Sequence, residues 1–367
     1  MLQQSIAAVR PLDGRAMADA RAHLDRLTKP PGSLGRLEEL AVQLAGITGE
    51  RAPRFDRRTI VVATADHGVA ARAVSAYPSD VTAQMVTNFL AGGAAISALA
   101  RLVGAEVVVL DVGVAGAVHT GHAPGRPGTR LIDARIRDGT ADMSIGPAMT
   151  RDEALRAIQA GLQLATDLAA GGVRLVGLGE MGIGNTTAAS AVVAALTGLP
   201  PRRVVGRGTG LDEEGLARKV DVVETALAVN RPDAGDPVGV LACVGGLEIA
   251  ALVGLAIGSA AAGLPVVLDG FIVGAAALVA TRLCAALPGR LVAAHRSAEP
   301  GHAVVLDVLG LRPLLELDLR LGEGTGAALA IGLIDAACRV RDEMATFESA
   351  AVSGPLDARA AMPDKVV

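Results

Sequence analysis

Tryptophan is absent from this chain, and its aromatic residues are one Tyr and four Phe. Proteins that bind single-stranded nucleic acid stack bases on aromatic side chains, and this chain can hardly build such platforms. A planar ligand would have to lie between aliphatic walls. Cysteine is scarce as well. Cys243, Cys284 and Cys338 stand far apart, with no C-x-x-C spacing. An odd, sparse count argues against a disulfide framework and fits a reducing, cytoplasmic setting. Nor is there an excess of positive charge. The 34 basic residues against 38 acidic ones leave a net charge of −4, the wrong sign for a polyanion-binding surface. The first residues, MLQQSIAAVRPLDGR, lack the apolar core of a secretory leader.

Glycine and apolar residues fill the space that these absences leave. The 45 Gly and 51% hydrophobic content describe an α/β enzyme with Ala-rich helices and Gly turns. A length of 367 residues is enough for about two domains. One run, Ile249–Leu268, carries no charge and is long enough to span a bilayer, with Gly254 and Gly258 in G-x-x-x-G spacing. Gly263 and Pro265 interrupt it, and Asp269-Gly270 ends it in a turn, so it reads as a buried helix followed by a buried strand. No membrane role is expected.

Short β-branched runs alternate with longer helical stretches. Strands are expected at Thr59–Ala65, Glu106–Asp111, Val173–Leu178, Leu264–Leu268, Leu291–Ala294 and Ala303–Val308. All are apolar on both faces, as strands of a covered parallel sheet are. Helices are expected near Ser79–Leu102, Arg151–Ala170, Thr186–Thr197, Glu213–Val229 and Gly245–Ala262. The alternation predicts an α/β fold: a parallel, Rossmann-like sheet of about six strands flanked by helices, with ligands at the carboxyl ends of the strands. The ends of the chain read as helical without strands. They predict a small helical subdomain from residues 1–50 and 310–350, a large α/β domain over 51–309, and a flexible tail over 351–367.

Four segments carry candidate chemistry. In VRLVGLGEMGIGNTT, a strand enters a glycine loop that opens a helix, and Gly177, Gly179 and Gly182 match G-x-G-x-x-G. Such a loop brings backbone N–H groups and a helix N-terminus up to a phosphate. No acidic residue follows at the spacing of a dinucleotide fold, and Asn185 replaces the lysine of a Walker loop. A bare strand-to-helix turn is the plainer alternative. In VGRGTGLDEEGLARKV, Gly208 lies in a second loop, Thr209 or Asp212 can cap the helix, and Lys219 is either solvated or turned to a ligand. In LRLGEGTGAALA, Glu323 sits between two glycines, as a cap or as a general base. In TADHGVAARAVSAYPSDVTAQ, Asp66 and His67 end a strand, and Ser75, Tyr77 and Gln84 offer polar handles. Arg296 and Ser297 follow another strand and could meet a phosphate. His119 and His122 have no third ligand at usable spacing, so no metal site is expected.

These segments, with LTKPPGSLGRLEELA, NFLAGGAAI, GTADMSIGPAMT and HRSAEPGH, resemble the nicotinate-nucleotide–dimethylbenzimidazole phosphoribosyltransferases of cobalamin lower-ligand assembly. The resemblance runs from about Leu27 to Phe347. Ala73 departs from it, standing where the family has Gly before Val-Ser. The resemblance implies transfer of 5-phosphoribosyl from nicotinate mononucleotide to 5,6-dimethylbenzimidazole, with no cofactor, in a cytoplasmic homodimer. It implies Glu323 as the general base, with Glu180 and Lys219 near the nucleotide's ribose. It places Gly182, Gly208 and Ser297 around the phosphate or sugar, and Ser75 and Gln84 in the base pocket.

Overall fold

Valine, isoleucine and alanine runs with no polar face build six strands. They are β1 (Arg58–Ala65), β2 (Glu106–Gly113), β3 (Thr129–Asp133), β4 (Leu175–Met181), β5 (Val266–Leu268) and β6 (Leu291–Ala293). They come from a computed structural model of the chain that describes residues 1–116, 118 and 128–354. The strands form one all-parallel sheet in the order β3-β2-β1-β4-β5-β6. Strand order therefore reverses direction between β1 and β4, where Ala63 pairs with Glu180. In such sheets the crevice at the carboxyl ends beside this reversal is where ligands bind.

Helices flank the sheet, and others belong to a second compact unit of the chain. In chain order they are α1 (Leu2–Ala8), α2 (Gly14–Leu24), α3 (Arg36–Thr48), α4 (Val81–Ala91), α5 (Ala95–Leu102), α6 (Arg151–Ala170), α7 (Asn185–Thr197), α8 (Glu213–Asn230), α9 (Pro237–Val244), α10 (Leu247–Ala261), α11 (Phe271–Leu283), α12 (Pro300–Leu309) and α13 (Thr325–Glu343). Local chemistry sets their ends. Thr150 and Glu153 form a capping box on α6, and Asp212 caps α8 by accepting the Gly215 N–H.

The uncharged run Ile249–Leu268 is α10 followed by β5, and all but its turn is buried. Its glycines serve helix packing, since a Cβ on Gly254 would strike the Ile158 carbonyl of α6. Val81–Leu102 is apolar enough to cross a membrane by length and composition, but Gly92-Gly93 divides it into α4 and α5.

Three expectations need correction. Ala303–Val308 lies within helix α12, not a strand; Pro300 starts that helix and Gly310 ends it in the left-handed conformation. The sixth strand is instead β3, a half-exposed edge. The division of the chain also differs. One unit comprises Met1–Pro11 and Phe55–Gly332, the other Leu12–Arg54 and Leu333–Val367. Helix α1 joins the large unit because Leu2, Ile6 and Val9 pack into its core and Arg290 binds the Arg10 carbonyl at 2.8 Å. Residues 310–332 join it because the Glu323 loop is bonded to β4 and to the end of β5. In the smaller unit, Arg341 is buried between Asp342 and the Pro53 carbonyl. Of the expected tail, residues 355–367 lie outside the described residues.

Candidate active site

A cavity of about 380 Å³ opens at the carboxyl ends of β4, β5 and β6. Glu180, Gly182, Gly208, Ser297 and Glu323 all line it. Five expected site residues from four separate segments thus share one hollow.

Glu323 reaches it on a strained turn. Its φ is +63°, a left-handed value that costs a non-glycine residue about 1 kcal/mol. The surroundings impose that conformation. The Glu323 N–H donates to the Glu180 carbonyl at 3.2 Å. The Asp269 carboxylate, at the end of β5, accepts the N–H groups of Gly324 (3.0 Å), Gly326 (2.6 Å) and Ala327 (3.2 Å). Gly179 makes room for the turn, because a Cβ there would strike the Gly324 backbone. Among the described residues, the Glu323 carboxylate itself accepts only a long bond from the Ile96 N–H, at 3.4 Å. Burial, reinforced by Asp269, raises its pKa above the ordinary carboxylate value, against the pull of the Ile96 N–H.

Glu180 is the last residue but one of β4 and accepts a hydrogen bond from the Asn185 side chain in the first turn of α7. Burial pushes its pKa up to about 8, with the charges of Asp269, Glu248 and Glu323 adding to the rise. Three carboxyls, those of Glu180, Glu299 and Glu323, therefore line one cavity, and the raised pKa of Glu180 favours its protonated form at neutral pH.

Lys219 lies behind the cavity, fully buried on α8. Its ammonium donates to Thr186 Oγ1 at 2.7 Å and to the Gly206 carbonyl at 3.1 Å. Burial lowers its pKa to about 8, opposed by the charge of Glu299. The Ser297 N–H donates to His302 Nδ1 at 2.9 Å. Burial, with His295 and Arg296 nearby, holds His302 down to about 3, so its ring stays neutral and can accept that bond.

The glycines of this loop serve close packing. A Cβ on Gly182 would strike the Ala65 carbonyl, and one on Gly177 would stand 3.1 Å from the Ile60 side chain. These glycines bring β4 close to β1 and to the Glu323 turn.

The family model described as phosphoribosyltransferase matches residues 9–352. Two curated relatives are 55% identical to the chain. One, from Roseiflexus sp. (strain RS-1), aligns over 97% of the chain and 99% of its own length. The other, from Chloroflexus aggregans, aligns over 96% and 98%. Both are named nicotinate-nucleotide–dimethylbenzimidazole phosphoribosyltransferase. This chain belongs to that family. The crystal structure of CobT from Thermus thermophilus superposes with a TM-score of 0.86 at 53% identity, covering 92% of this chain and 99% of that one.

Other candidates sit elsewhere in this family member. Ser75 is at the rim, bonded to Thr209 Oγ1 at 3.0 Å, and Thr209 lines the cavity. Gln84 does not reach it. Val81 and Met85 of α4 line the main cavity, whereas Gln84 lines a second one with Asp66 and Asp80. His67 is buried against Glu248 at 2.8 Å and lines neither cavity. Arg296 turns outward to Glu316 at 3.3 Å. His119 and His122 lie outside the described residues.

Sequence reasoning missed Asp269, Thr186, His295 and Glu299. Asp269 carried a usable signal, an acid at the end of a buried parallel strand, but it read as a turn residue.

Proposed function

We propose that the chain transfers the 5-phosphoribosyl group of nicotinate mononucleotide to 5,6-dimethylbenzimidazole. The products are α-ribazole 5′-phosphate and nicotinate, for assembly of the cobalamin nucleotide loop. The observation that carries this reading is Glu323: a carboxylate of raised pKa, on an enforced turn, lining the cavity that also holds Glu180, Gly182, Gly208 and Ser297.

The chemistry follows from the reactants. One nitrogen of the base attacks C1′ of the ribose as the bond from C1′ to the nicotinate ring nitrogen breaks. The electron pair leaves with a neutral pyridine ring, so no general acid is required. The other base nitrogen carries N–H, which becomes strongly acidic as the new bond forms. Glu323 takes that proton, and a placed base of this kind contributes about 10²–10⁴-fold. Its raised pKa brings it closer to working pH, where such a base is most effective. Attack opposite the leaving group converts the β-nucleotide to an α-product. Glu180, protonated below about pH 8, donates a hydrogen bond toward a ribose oxygen. Lys219 supplies positive charge to the anionic nucleotide. The aliphatic side chains of Val81, Met85, Ile183 and Leu321 suit the methyl groups of the base.

The proposal includes a cytoplasmic homodimer, which the family resemblance and the free thiols Cys243, Cys284 and Cys338 support. Sedimentation of the purified protein tests the dimer. The decisive assay incubates the protein with nicotinate mononucleotide and dimethylbenzimidazole. Free nicotinate and α-ribazole phosphate are the expected products. No turnover with a range of benzimidazoles contradicts the reading.

A further inference from the structure

Glu299 is a buried carboxylate that the reaction as described does not use. It heads α12, yet its side chain makes no capping bond to that helix. Instead Oε1 accepts the Gly208 N–H at 2.8 Å, while Oε2 is buried with no hydrogen-bond partner among the described residues. Gly206 makes room for it, since a Cβ there would strike Oε2. The charge of Glu299 also acts on Lys219, whose own hydrogen-bond partners, Thr186 Oγ1 and the Gly206 carbonyl, are both neutral.

An N–H from a glycine loop, a buried ammonium and the first turn of α7 converge at this end of the cavity. Such a corner binds anions. The only anionic group seated there among the described residues is the protein's own carboxylate, and Glu299, Gly208 and Thr186 all line the cavity. Its seat is poor. One oxygen lacks a donor, so half of its desolvation goes uncompensated.

We propose that Glu299 occupies the phosphate position of the unliganded enzyme and must withdraw when a phosphate-bearing substrate enters. Phosphate offers more acceptor oxygens to the same donors than the carboxylate does, and an ionised Glu299 left in place repels it. The uncapped N-terminus of α12 is where the side chain can retreat. Glu299 thereby acts as a specificity-determining residue. A ligand with a phosphate displaces it, and a nucleoside without one does not.

The inference rests on the proposed function for the identity of the nucleotide, but one arm of its test does not. Calorimetric titration would compare wild type, Glu299→Gln and Glu299→Asp with inorganic phosphate, nicotinate mononucleotide and nicotinate riboside. Removing a competitor seated nine-tenths of the time tightens binding about 10-fold. Glu299→Gln should therefore bind phosphate and the mononucleotide about 10-fold more tightly, with riboside affinity unchanged. Glu299→Asp, drawn back from Gly208 by one methylene, should shift both in the same direction. Circular dichroism confirms that each variant is folded. Unchanged or weaker binding of the two phosphate-bearing ligands by folded variants overturns the proposal. Loss of riboside affinity also overturns it, because it makes Glu299 a sugar ligand. If wild type fails to turn over its substrates while Glu299→Gln still binds phosphate more tightly, the functional reading falls and this inference stands.

Discussion

Lys219 shows how burial turns an ordinary residue into a tuned one. The sequence left it between a solvated lysine and a ligand contact. The fold buries it completely behind two glycine loops and lowers its pKa to about 8. Lys219→Ala should weaken nicotinate mononucleotide binding about 10-fold, by loss of a charge-assisted bond, and leave dimethylbenzimidazole affinity nearly unchanged. In the wild type, nucleotide affinity should fall as pH rises through about 8, where the ammonium loses its proton. Equal losses for both ligands contradict this role. Ala73 is a second case at this scale. It sits at φ +53°, a left-handed conformation that suits glycine better than alanine. Ala73→Gly should raise stability by about 0.5–1 kcal/mol, read from chemical denaturation, because relief of the left-handed strain exceeds the added chain entropy. Glu323 was legible because glycines flank it. Glu299 was not, because its partner is a backbone N–H that only the folded chain brings near, and Asp269, though its place at a strand end was a signal, has its three N–H partners in a loop more than 50 residues on.

Elements were legible where their pattern was one-sided. β1, β2 and β4 carry long apolar runs, and the capping box of α6 marks its start at Arg151. β3 was missed because Thr129–Asp133 mixes charge with apolar residues at an exposed edge. The α12 run was misread because a short β-branched stretch fits a buried helix as well as a strand. Its Pro300 and Gly310 were the better signals. The loop before α13 depends most on a distant element. Asp269 accepts three of its N–H groups, so Asp269→Ala should leave them unpaired and cost about 2–3 kcal/mol. Thermal unfolding reads that cost. Turnover should fall further than nucleotide affinity, since the freed turn carries Glu323. A stable variant with normal turnover shows that the turn holds itself.

For the whole molecule, the reversal of strand order between β1 and β4 organises both stability and chemistry. Alternating strands and helices made that architecture legible, whereas the unit boundaries depended on contacts between segments far apart in sequence. His67 is buried beside the reversal, paired with Glu248 at 2.8 Å. Burial opposes its charge, but Glu248 and Asp66 outweigh it and raise its pKa. The folded-state value thus exceeds the unfolded one, so the pair's contribution is full below about pH 6.5 and is lost as pH rises through the folded value. His67→Gln should cost about 3 kcal/mol near pH 6, and less at alkaline pH. A gap that widens with pH contradicts the pairing. The most direct test of the account is Glu323→Gln, assayed with nicotinate mononucleotide and dimethylbenzimidazole across pH. The substitution keeps shape and hydrogen bonding but cannot accept the base's proton. Turnover should drop about 10²-fold or more, nucleotide affinity should stay near normal, and higher pH should partly restore the rate as solvent base takes the proton. Near-normal turnover would make Glu323 a structural turn residue and contradict its assignment as the base.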